Sequence, residues 1–171
     1  KLSAAEQLVL KNVLVGPLPN KENFDVDFAS MTENDVPLVI TQSEFTRRMK
    51  EMSALGGGMN FYGNLPDRFS LVVNTNNSLI TRTLDDVTKA HEKDLKGFSE
   101  KLDSLEEHKK DLQKAQEGKK DEEIKQEEKD KLSNVETKIK EIEDKRKNLL
   151  EEYGKKNDLI CQLTRSEERR V

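Results

Sequence analysis

The stretch ITQSEFTRRMKEMSALGGGMNFYGNLPDRFSLVVNTNNSLI, Ile40 to Ile80, holds most of the residues whose placement decides the fold. Thr41 lies three residues before Glu44, the spacing of a capping box, and Ile40 and Phe45 take the two positions of a hydrophobic staple around the same cap. That spacing predicts a helix beginning near Gln42. Phe45, Met49, Met52 and Leu55 then make one apolar stripe opposite Arg47, Arg48, Lys50 and Glu51, and Gly56, Gly57 and Gly58 end it, so the helix is expected over 42–55. A helix this short is marginal alone in water, so its stripe needs a partner. Three of the four methionines, Met49, Met52 and Met59, lie in or just past it, and thioether side chains adapt to apolar surfaces of different shape. Periodicity alone leaves two readings open: ordinary core, or a contact surface for irregular apolar partners.

On either side of this helix the pattern is that of strands. Phe24, Val26 and Phe28 alternate with Asp25 and Asp27, Val36 to Ile40 is a short apolar run, and Phe69, Leu71 and Val73 alternate again after a loop broken by Gly63 and Pro66. Ser3 and Glu6 form a capping box for a first helix whose apolar face is read as Leu8, Val9, Val13 and Leu14, stopped by Gly16 and Pro17. Thr75 to Ser78 close the third strand and cap the next helix, a structural turn rather than a binding loop. The fold class expected is α+β: a small three-stranded sheet with helices over residues 1–80.

From Thr81 the composition shifts to charged residues. Leu84, Val87, Leu95, Phe98, Leu102, Leu105 and Leu112 recur at threes and fours, as do Leu132, Val135, Ile139, Ile142, Leu149 and Tyr153, with QEGKKDEE (Gln116 to Glu123) between them. The expectation is a long antiparallel helical hairpin, a coiled coil, over 81–163, with arms of about 50 Å at 1.5 Å per residue. Residues 164–171 are expected as a polar tail. Acids precede lysines by four at Glu92, Glu106, Glu136, Glu141 and Glu151, each pair adding about 0.2–0.5 kcal/mol to an exposed helix. The apolar pattern of the sheet contains nothing that depends on the stretch from Glu92 to Glu152.

Charge and motifs exclude several function classes. Of the residues 37% are charged, yet the net charge is only −4, and no clustered basic face marks a nucleic-acid partner. No run is long and apolar enough for a membrane span, and the single cysteine, Cys161, suits a reducing, cytoplasmic setting. His91 and His108 lack metal-ligand spacing, Gly56 to Met59 lacks the Gly-Lys-Ser/Thr of a phosphate loop, and no nucleophile has motif-placed partners, so no enzyme, no cofactor and no metal are expected. The chain does not begin with methionine and is expected to be a piece of a longer protein.

The run SEFTRRMKEMSALGGGMNFYGNLPDRFSLVVNTN resembles the carboxy-terminal domain of bacterial HtpG, a heat-shock chaperone family, and most closely its Bacteroides-type members. The words ITQSEF, RRMKEMSA and FYGNLPD are the most specific, and the resemblance covers Leu2 to Gln162. It implies that the helix at 42–55 is partly exposed and holds non-native client proteins through Phe45, Met49, Met52 and Leu55. It also implies that ATP belongs to an amino-terminal domain absent here, and that the partners are clients and the other domains of the parent chaperone. The family is a homodimer through apolar helices that follow the position of Leu163, whereas this chain reads TRSEERRV there, so that interface is expected to be missing. Asn77-Ser78 stands where the family usually has His-Pro. The alternative is a structural or interaction module whose coiled-coil arm docks a partner protein.

Overall fold

Alternating side chains on Phe69–Asn74 require cover on one face only, and in the computed structural model this strand is the middle of three. The structure describes residues 2–42, 47–49, 51–52, 68–116 and 126–168, with side chains as far as residue 165. Phe24–Ala29 (β1) runs parallel and Leu38–Gln42 (β2) antiparallel to Phe69–Asn74 (β3), in the order β1-β3-β2. Register places Val26, Leu71 and Ile40 in one row and Phe28, Val73 and Leu38 in the next, all on the inner face. Leu71 and Val73 are wholly buried, and the Phe24 ring stacks on Phe69 with centroids 5.3 Å apart. Asp25, Asp27, Ser70, Val72, Val39 and Thr41 share the other face.

One boundary differs from the expectation. Thr41 and Gln42 are the last two residues of β2, paired with Ser70 and Phe69, and the Thr41 hydroxyl donates to the Ser70 carbonyl at 3.5 Å. A threonine in a ladder is as favourable as one at a helix cap, so tertiary pairing decides between two local options. The helix expected over 42–55 therefore does not begin at Gln42.

Ala4–Val15 (α1) forms as its capping box directs. The Ser3 hydroxyl accepts from the Glu6 N–H at 3.3 Å while the Ser3 N–H donates to Glu6 Oε2 at 2.7 Å. These hydrogen bonds to the Ser3 backbone and then to its side chain hold the Glu6 carboxyl below the usual glutamate range. The buried face is Leu10, Val13, Leu14 and Val15, and Leu8, expected on it, is 36% exposed.

Among the described residues four helices follow β3: Ser78–Ala90 (α2), Glu92–Gln116 (α3), Gln126–Lys156 (α4) and Asp158–Glu168 (α5). The structure divides into one unit of residues up to Val87 with those from Leu150 onward, and a second unit from Thr88 to Leu149. The arm expected over 81–163 is accordingly shorter. Leu150 and Ile160 are wholly buried in the first unit, where α5 packs against β2 and α1. Of the stretch from Glu92 to Glu152 on which the sheet was expected not to depend, Leu150 to Glu152 belong to the first unit. Of the polar tail expected at 164–171, the part as far as Glu168 continues α5, and the hydroxyl of the buried Thr164 donates back to the Ile160 carbonyl at 3.0 Å. Asn157 separates α4 from α5, its Oδ1 accepting from the Ile160 N–H at 3.2 Å as a helix cap.

In the second unit α3 and α4 pair antiparallel. Gln116 Nε2 donates to the Glu128 carbonyl at 3.3 Å, Lys109 Nζ meets Glu136 Oε1 at 2.9 Å, and Leu105 lies with Ile142, so numbers fall along one helix as they rise along the other. Leu102 and Val135 are buried, whereas Leu95, Phe98, Leu112, Leu132, Ile139 and Leu149 are half-buried, as a two-helix seam with no third layer requires. The turn expected at Gly118 lies outside the described residues.

Two outcomes follow. Withdrawing a leucine from water contributes about 1.5–3 kcal/mol, so Leu102→Glu lowers the melting temperature clearly, and an unchanged melt would show that α3 and α4 do not pair. A carboxyl whose pKa is lowered on folding stabilises above its unfolded value of 4.5 and loses that stabilisation as pH falls through the folded one. Wild type should thus lose stability relative to Glu6→Gln below about pH 4.5 in urea titrations, the two curves running parallel at neutral pH.

Candidate functional site

The chain between β2 and β3 joins two antiparallel neighbours, and the methionine-bearing helix lies within it. Residues 47–49 and 51–52 are helical, and Arg47 Nη1 meets Glu51 Oε1 at 2.6 Å across one helical turn. Met49 and Met52, three apart, share a face away from that pair. Met49 is half-buried and Met52 is 67% exposed, so the stripe passes from packed to open within one turn. Phe45 and Leu55, the other two members of the expected client-binding set, lie outside the described residues.

A network of asparagines fixes the entry to β2. Asn74, wholly buried at the end of β3, accepts at Oδ1 from the N–H groups of Met31 (3.3 Å) and Asn76 (3.1 Å) and donates from Nδ2 to the Thr32 carbonyl at 2.8 Å. Asn77 Nδ2 donates to the Asp35 carbonyl at 2.8 Å, while its Oδ1 accepts from the Leu79 N–H at 2.9 Å and caps α2. Asn76 Nδ2 reaches the Met31 carbonyl at 2.7 Å. The sequence marks these residues as a capping turn, which they are. It does not reveal that the same side chains satisfy the backbone of the β1–β2 connection, because those contacts cross more than forty residues of chain.

Charge pairing also departs from the helical rule. Glu151, expected to pair with Lys155 on a solvated face, is buried and ion-paired with Lys21. Lys155 pairs instead with Glu152 at 2.7 Å; the hydrogen bond and the charge of each hold the Glu152 carboxyl below, and the Lys155 ammonium above, its ordinary range.

Among the described residues no group of histidine, cysteine and carboxylate side chains is placed to hold a metal ion. His91 Nδ1 lies 3.5 Å from Asp94 Oδ2, His108 is exposed, and the Cys161 thiol lies against the Gly154 and Lys155 carbonyls at 3.6 and 3.4 Å. No described helix is long and apolar enough to cross a membrane.

The chain is similar to proteins named chaperone protein HtpG. That of Bacteroides fragilis is 37% identical over 164 residues, covering 95% of this chain and 24% of the relative. The protein of Bacteroides thetaiotaomicron is 35% identical over 147 residues, 86% of this chain and 22% of the relative. That of Porphyromonas gingivalis is 36% identical over 165 residues, again 95% and 24%. The resemblance read from ITQSEF, RRMKEMSA and FYGNLPD is therefore shown along nearly the whole chain, which spans about a quarter of the length of these curated relatives. No protein-family model matches the chain. No solved structure matches it.

Proposed function

We propose that this chain is the carboxy-terminal domain of an HtpG-type chaperone, and that the helix carrying Met49 and Met52 lends it an adaptable apolar surface for non-native client proteins. The observation that carries the reading is Met52, 67% exposed beside a half-buried Met49, in a chain 35–37% identical to HtpG proteins. An unbranched thioether has several rotatable bonds and a polarisable sulfur, so it fits apolar groups of many shapes. That is what a holder of unfolded chains requires, since its clients share hydrophobicity and not geometry. Arg47, Arg48 and Glu51 keep the opposite face wet and oppose association of the helix with its own kind. Phe45 and Leu55 extend the stripe by helical spacing. ATP turnover, the other domains and the family's homodimer belong to the parent protein in the cytoplasm, and none of these residues is assigned to catalysis.

A second reading rests on the α3–α4 seam. Leu105 and Ile142, with Glu100, Lys101 and Ser104, line an open groove of about 360 Å³, where the arm could dock a partner protein.

Suppression of aggregation separates the two. Burying a methionine side chain contributes about 1.5–3 kcal/mol, so Met49→Ser with Met52→Ser should weaken holding of a denatured reporter protein by roughly tenfold or more, with an unchanged circular dichroism spectrum. Protection at the wild-type level contradicts the methionine surface and favours the arm.

A further inference from the structure

Among the described residues no strand pairs with the outer edge of β1. The Ala29 carbonyl accepts from the Thr75 N–H at 2.9 Å, and the Asn74 N–H turns the other way to the Pro37 carbonyl at 2.9 Å. Backbone groups alternate in direction along a strand, so Asp25, Asp27 and Ala29 bond to β3 while Val26 and Phe28 aim their N–H and C=O groups outward. No described residue hydrogen-bonds to those outward groups. The inner rows also run out at this side: Leu71 and Val73 are wholly buried and Ile40 and Leu38 nearly so, but Val26 and Phe28, at the β1 end of the same rows, are only half-buried. On the outer face the edge carries two exposed acids, Asp25 and Asp27. Arg68 meets Asp25 at 3.6 Å and the Ser70 hydroxyl donates to Asp27 at 2.5 Å, both from the β3 side.

We infer that β1 accepts an extended polypeptide segment as a fourth strand, one that alternates apolar with basic side chains. Its apolar side chains complete the rows ending in Val26 and Phe28, its lysines or arginines stand beside Asp25 and Asp27, and its backbone satisfies the outward amides. The charge pattern chooses this occupant over a second copy of the chain. Two β1 strands side by side would set Asp25 and Asp27 against their own kind, and like charges across a strand pair repel. Acids on an edge are also a common guard against such self-pairing; a basic segment turns that guard into an attraction. The inference stands apart from the methionine helix and uses none of its residues.

The test uses the 171-residue chain and a synthetic peptide alternating lysine with valine, followed by amide resonances. Expected are shifts centred on Val26 and Phe28, binding that weakens with added salt, and loss of binding when the peptide amides that face the edge are N-methylated. Asp25→Lys with Asp27→Lys should weaken the lysine–valine peptide by about tenfold or more and admit a glutamate–valine peptide instead. Met49→Ser with Met52→Ser should change neither result, which keeps this edge distinguishable from the methionine surface. Binding indifferent to N-methylation, shifts that avoid β1, or a dimer by light scattering that the two aspartate reversals abolish would each overturn the inference.

Discussion

Two glycines bring backbone against backbone, and the sheet-bearing unit depends on that approach. A Cβ at Gly154, in the last turn of α4, would overlap the Val13 carbonyl oxygen and lie 3.0 Å from its carbon. A Cβ at Gly16, where α1 ends, would overlap the Glu151 carbonyl oxygen and lie 3.0 Å from its Cα. Neither neighbour is a flexible side chain that could move aside. With no side chain between them, the end of α1 and the end of α4 come close enough to bury Val13, Leu14 and Leu150 completely. The Lys21–Glu151 ion pair sits at the same junction, just past Asn20, the one described non-glycine residue with left-handed backbone (φ 47°). Two stretches more than a hundred residues apart in sequence are joined there, and α5 then covers β2.

How much of this was legible in the sequence depended on whether each signal was local. The capping box at Ser3 and Glu6, the alternation in β1 and β3 and the threes and fours of α3 and α4 are written within a few residues of themselves, and they hold. Thr41 shows the limit: its local pattern suits a helix cap, but its carbonyl and amide had a strand partner in Ser70. Gly154 is a second case. Within a heptad pattern it reads as a weak helix position, and nothing nearby discloses that Val13 lies against it. The same gap hid the capping role of Asn157, although Asn followed by Asp158 is a helix-start signal, and hid the burial of Thr164.

For the candidate surface the division is similar. Helical spacing grouped Met49 with Met52, and the structure keeps them on one face, but the contrast between a half-buried and an exposed methionine has no sequence signature. The side chains of Asn74 and Asn77 hold the β1–β2 turn that leads into β2. The outer edge of β1 belongs to the same sheet: the three described strands are enough to bury Leu71 and Val73 but not to finish the rows they belong to.

The glycine contact is tested most directly by alanine at two helical positions. Alanine in place of an unencumbered helical glycine stabilises by about 0.8–1.0 kcal/mol, and Gly97 in α3 has no atom within 4 Å of where a Cβ would stand. Urea unfolding should therefore show Gly97→Ala more stable than wild type. Gly154→Ala should lose about 1–3 kcal/mol despite the same gain in helix propensity, because Val13 must be displaced. A Gly154→Ala protein as stable as Gly97→Ala would contradict the claim that this crossing holds the unit together.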